Sequence, residues 1–233
     1  MLAVFYVSQL FAGLAVSIYP ALQHWSAARA NAWLNDSVLA QFIFILLAES
    51  FVLGSIYLFL RAHKQGFSSI GFKKPRWSDV GAGLLAAPVY YVLFFVMVAA
   101  VSHAVHGFNA QQSQDIGFNN VQGHVQLLLT FTSLVVLPPL TEEIMVRGLL
   151  YTSLKKTMPI ISAGLVTSLL FAAAHLPEGG AAGPLWIGAL DTFILSLVLV
   201  YLREKTGSLW GSITLHALKN GVAFIALFVI HSS

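Results

Sequence analysis

The sequence predicts an all-α protein, a polytopic bundle of about seven transmembrane helices. Three observations predict it. Of the 233 residues, 58% are hydrophobic and only 9% are charged, whereas a soluble domain carries about 25% charged residues. Mean hydropathy is +0.80, too high for the apolar side chains to be hidden in a water-soluble core. The apolar runs also recur at the length a bilayer demands, since a hydrocarbon layer about 30 Å thick needs about 20 mostly apolar residues as a helix. Cysteine is absent, which excludes a disulfide framework, a thiol nucleophile and a Cys-ligated metal. The net charge of +3 and pI of 9.2 do not indicate nucleic acid, because the basic residues sit in short loops between apolar segments.

The first span, about 2–20, has some likeness to a secretory leader, with Ala28-Arg29-Ala30 as a weak cleavage site. It lacks a basic start and its apolar run is long, so it reads as an uncleaved helix. Further spans are expected at about 38–60, 79–105, 124–154, 159–176, 184–202 and 208–230. Pro138-Pro139 removes two backbone donors from the fourth and is expected to kink or break it. A broken membrane helix is tolerated where protein or a cavity satisfies the freed carbonyls, which draws attention to the restart at Leu140–Lys155. The polar 106–123 stretch, rich in Gln and Asn, reads as an external loop with room for a short interfacial helix.

Loop charge predicts orientation. The 61–78 loop holds Arg61, Lys64, Lys73, Lys74 and Arg76; the turn near 155 holds Lys155 and Lys156; the 203–207 turn holds Arg203 and Lys205. The intervening 106–123 and 177–183 segments hold no Lys or Arg, and 21–37 holds only Arg29. Basic loops face the cytoplasm, which puts the N-terminus inside and, with seven spans, the C-terminus outside. An eighth span or half-span would reverse the far end. No internal repeat, low-complexity tract or second domain is marked.

Ionisable residues inside spans are costly and mark function or pairing. Here they are Glu49, Glu142, Glu143, Arg147, His175, Asp191, His216 and Lys219, with Asn220 as a polar neighbour. Glu143 and Arg147 are spaced to share a helical face and form a salt bridge. Glu142 lies about 100° further round. Glu142 and His175 are nearly equidistant from the turn at Met158-Pro159, roughly 25 Å along each helix at about 1.5 Å per residue. In an antiparallel pair they are plausible neighbours. His216 and Asn220 are stacked donors, suited to an oxyanion site or to ordinary interhelical hydrogen bonds. Asp191 has two readings, pairing with Lys219 or lining a cavity. Glu49 stands apart from these groups, and Lys219 is free to snorkel.

The ordered set Glu142-Glu143-x-x-x-Arg147, Phe171-x-x-x-His175 and His216-x-x-x-Asn220 resembles the CPBP (CAAX protease and bacteriocin-processing, or Abi) family, which includes the Ras-converting type of CAAX endopeptidase. Flanking features fit: Pro139 before the acid pair, Arg147-Gly148 after it, and Thr206-Gly207-Ser208-Leu209-Trp210 leading to His216. The resemblance covers about 124–225. It implies that 124–230 forms a catalytic four-helix core, with 1–123 as N-terminal transmembrane helices of the same integral membrane unit. It also implies an intramembrane endopeptidase of glutamic type. Glu142, as general base, and His175 would activate water; His216 and Asn220 would stabilise the oxyanion; Glu143 and Arg147 would support the site. No cofactor is expected. Zinc is the competitor, with Glu142, Glu143, His175 and His216 as its available ligands, but the helical His-Glu-x-x-His signature is missing. A serine mechanism lacks a Ser with an adjacent base.

The expected substrate is a membrane-associated or lipidated peptide or protein, and the expected location a prokaryotic inner membrane. Two rival functions are a proton-coupled transporter, using Glu and His as a relay, and a non-catalytic bacteriocin-immunity-type membrane protein.

Overall fold

The computed structural model describes residues 2–114 and 116–230. No strand occurs among the described residues. Helix α1 runs Leu2–Leu22, α2 Ala27–Asp36, α3 Val38–Ala62 and α4 Trp77–Ala104. Helix α5 runs Gly123–Leu154 and α6 Ile160–Ala174. Helix α7 runs Trp186–Thr206, and α8 Trp210–Ile225 continues with a π-helical turn to Ile230. Among the described residues, seven helices are long and apolar enough to cross a membrane, all except the short α2. Their bounds match the seven expected spans to within a few residues. The chain is a multi-pass membrane protein.

Helix α2 is short and polar, with no buried residue. Ser26 caps it by accepting from the Arg29 amide at 3.3 Å. Trp25, Trp33 and Tyr19 cluster beside it with ring centroids 5.3–5.7 Å apart, and the Arg29 guanidinium lies 4.3 Å over the Trp25 ring. Such aromatic and basic groups favour the headgroup level of a bilayer. The 106–123 stretch is expected as an external loop with room for a short interfacial helix, and its described residues up to 122 are loop. No helix occurs among the described residues of 105–122, where Gly107 and Gly117 take positive φ. The short polar helix stands in the 21–37 loop instead.

The described fold divides into two compact units that interleave along the chain. The first comprises residues 1–66, 117–145 and 219–233. Within it α1 lies along α3, with Phe11 against Phe51 at 5.1 Å. The start of α5 also packs on α3, and the Gln41 side chain accepts from the Phe118 amide at 2.8 Å.

The second unit comprises residues 67–116 and 146–218. Its core is built on Tyr90, Leu195, Leu199 and Leu215 from α4, α7 and α8. Helices α4 and α8 meet through glycine: a Cβ on Gly83 would stand 2.5 Å from the Gly211 carbonyl oxygen. Small residues let membrane helices approach this closely. The three basic segments meet at one end of this unit. Lys155 pairs with Glu204 at 2.6 Å, Arg76 donates to the Thr206 carbonyl at 3.0 Å, and Trp210 Nε1 donates to the Lys73 carbonyl at 2.6 Å. That grouping agrees with their expected placement on one membrane face.

Candidate active site

Helix α5 carries the acid pair, and its backbone departs twice from α geometry. Thr132–Val136 and Ile144–Tyr151 are π-helical, flanking the α-helical Leu137–Glu143. Such widened turns inside α-helices frequently occur at functional sites. The first has a visible cause. Prolines 138 and 139 fall in the opening turn of Leu137–Glu143, where a missing N–H is least costly. The Leu137 amide reaches back five residues to the Thr132 carbonyl. The kink or break expected at Pro138-Pro139 takes the form of this widened turn and not of a break. The helix continues from Gly123 to Leu154, because the widened turn absorbs both prolines.

The prolines leave one backbone group in need of a donor. A helical carbonyl accepts from the residue four along, or five along in a π-turn. For Leu134 these are Pro138 and Pro139, and neither has an N–H. Asn220 of α8 supplies the missing donor, with Nδ2 at 2.9 Å from the Leu134 oxygen. Asn220 is half-buried.

The two acids differ in exposure. Glu143 is fully buried, whereas Glu142 retains partial exposure. Thr141, beside them in sequence, is also buried and lies next to the Glu49 carboxyl of α3.

In the second unit Phe171 is the hub. The Arg147 guanidinium stacks over its ring at 4.4 Å. His175 meets it edge-on at 4.6 Å and His216 edge-on at 6.1 Å. One aromatic ring thus gathers members of all three sequence motifs. Arg147 is fully buried and His216 nearly so. A desolvated cation on an aromatic face gains about 2 kcal/mol or more, which helps offset the burial of Arg147.

His175 ends α6. Its Nδ1 lies 2.7 Å from the Phe171 carbonyl oxygen. A carbonyl only accepts, so Nδ1 carries the proton, and in the neutral ring Nε2 keeps its lone pair. Nε2 lies 3.9 Å from Glu178 Oε1, and Glu178 in turn accepts from Gln114 Nε2 at 2.8 Å. Asp191 accepts from the Tyr90 hydroxyl. Lys219 sits half-buried on α8.

The structure therefore assembles Arg147, His175 and His216 around Phe171 in one unit, and Asn220 on the acid-bearing helix in the other. Sequence reasoning missed Glu178, although it lies three residues beyond His175 in a polar turn. It also missed Tyr90 as the partner of Asp191 and the hub role of Phe171. Tyrosine looks like ordinary core in an apolar run. Among the described residues no three His, Asp or Glu side chains gather as a metal-binding group.

The described structure thus carries a partly exposed carboxylate at Glu142, a histidine of fixed tautomer at His175 and an amide donor at Asn220 on apolar helices. In a comparison with protein families, residues 124–222 match the family described as "Type II CAAX prenyl endopeptidase Rce1-like". That match supports assigning residues 124–222 to the CPBP/CAAX protease family, in line with the three motifs, all of which lie within it. No curated protein and no solved structure matches the chain significantly.

Proposed function

We propose that this protein is an intramembrane endopeptidase that hydrolyses a peptide bond with water activated by Glu142 and His175. The observation that carries this reading is the gathering of Arg147, His175 and His216 on the Phe171 ring, with the His175 tautomer set by the Phe171 carbonyl.

Glu142 is the general base, and its partial exposure beside the sealed Glu143 supports that choice. Its carboxylate takes a proton from water as the water oxygen attacks the scissile carbonyl. His175 Nε2 accepts the second water hydrogen and orients the nucleophile. His216 and the Asn220 amide donate to the oxyanion of the tetrahedral intermediate. As the intermediate collapses, the C–N bond breaks and Glu142 returns its proton to the leaving amine. One water is consumed, and a carboxylate and a protonated amine are released, the second water hydrogen leaving with the amine. Arg147 and Glu143 hold the surrounding helices. The chemistry is taken as metal-free because the sequence lacks the helical His-Glu-x-x-His zinc signature, with zinc on Glu142, Glu143, His175 and His216 as the alternative.

The substrate is a membrane-associated or lipidated protein or peptide, in keeping with the prenylated CAAX class in the family's description. The protein resides in a prokaryotic inner membrane. The test is a comparison of membrane peptides in cells carrying the wild type, Glu142→Ala or His175→Ala, with a fluorogenic prenylated CAAX peptide assayed in vesicles. Cleavage lost in both inserted variants supports the reading, and cleavage retained in both overturns it. Activity removed by chelator and restored by zinc would replace the glutamic mechanism with a metal-dependent one.

A further inference from the structure

The proline pair and Asn220 form a device that neither motif nor composition announces. In the whole chain only the Leu134 carbonyl has proline both four and five residues ahead, since Pro138-Pro139 is the only adjacent proline pair. This carbonyl can receive no ordinary helical donor at either spacing. It sits in a π-helical turn, one helix-width from α8, and the Asn220 amide fills the vacancy at 2.9 Å. A side-chain amide nitrogen carries two hydrogens. One bond to a rigid backbone acceptor fixes the plane of the amide and directs the second hydrogen.

We propose that Pro138 and Pro139 are positioning residues for Asn220: by leaving the Leu134 carbonyl without a helical donor, they hold the Asn220 amide by one N–H and present the other to the reacting centre. The catalytic half of this inference rests on the oxyanion role of Asn220 proposed above. The structural half stands on the hydrogen bond alone. The device also accounts for an asparagine rather than an aspartate here, because a carboxylate could not donate to the carbonyl.

The experiment restores the missing donors. Pro138→Ala returns an N–H at α spacing and Pro139→Ala at π spacing, and each competes with Asn220 for the Leu134 oxygen. Alanine is the better helix former, so both variants are expected to insert and to keep or gain thermal stability. The first readout is hydrogen exchange of the Asn220 side-chain amide, followed by NMR of protein labelled with 15N-asparagine in detergent and assigned by its loss in Asn220→Ala. Slow exchange in the wild type and at least tenfold faster exchange in a proline variant is the expected result. Protection that survives both substitutions overturns the proposal.

The second readout is cleavage of the fluorogenic prenylated CAAX peptide. Removing an oxyanion donor costs about 10²–10³ in kcat, so Asn220→Ala sets the full loss. The proline variants are expected to lose up to about 10²-fold in kcat, the scale of a 1 Å misplacement, with KM nearly unchanged. In the Asn220→Ala background Pro138→Ala should cost nothing further. An equal loss in both backgrounds, or faster exchange with unchanged kcat, overturns the positioning role. Full activity of Asn220→Ala would refute the oxyanion role itself, and the exchange result would then decide the structural half independently.

Discussion

Glu142 and Glu143 are chemically identical neighbours whose surroundings separate them. Glu143 is fully buried and Glu142 partly open. Glu142→Gln keeps size and hydrogen bonding but removes the base. It is expected to lose cleavage by at least the 10²–10⁴ that general-base catalysis supplies, with an unchanged melting temperature. Glu143→Gln alters a sealed carboxylate, so its main effect is expected in thermal stability. Parallel melting curves and cleavage rates of the two variants check the contrast; reversed effects would move the base to Glu143. Phe171→Ala should combine both losses. Deleting a buried Phe side chain costs about 3–5 kcal/mol, and Arg147, His175 and His216 lose their common surface. Phe171→Tyr, which keeps the ring, is the control expected to retain the fold.

Helices were the most legible part of the sequence. Span after span is set by apolar length, and membrane helices satisfy their own backbone, so α3, α4 and α7 could be bounded from composition alone. The site motifs were legible for a different reason: a charge in an apolar run stands out. What could not be read was anything requiring a partner distant in sequence. Pro138-Pro139 announces a disturbance, but the widened turn that resolves it depends on Asn220, 86 residues away. Phe171 could be read one turn before His175, but its meeting with Arg147 and His216 could not, because those two come from other helices. Loops supply a further test at this scale. Gly71 has φ of +91°, and a Cβ there would stand 2.5 Å from the Arg203 guanidinium carbon. Arg203 is buried and donates to the Ile70 carbonyl at 3.2 Å. Gly71→Ala therefore adds a strained backbone and a clash, and should lower the melting temperature measurably. An unchanged value would mean that the loop yields without cost.

At the scale of the molecule, Lys155, Arg76 and Lys73 group with α7 and α8 at one end of the second unit, the end that the positive-inside rule predicts to be cytoplasmic. The absence of cysteine makes this directly measurable. Lys64→Cys and Gln111→Cys replace exposed residues in a basic and a Lys-free loop. In intact cells an impermeant maleimide is expected to label Gln111→Cys at once and Lys64→Cys only after the membrane is opened. The opposite pattern would invert the predicted orientation.

The hydrogen bond from Asn220 to Leu134 also sets an order of events during biosynthesis. At about 5–20 residues per second, the 86 residues between them take about 4–17 s to leave the ribosome. Throughout that interval the fourth span already exists while its carbonyl still waits for the amide that will close it. The acid pair is made before the last donor, so the fourth span is synthesised before the contact that closes its open carbonyl can form.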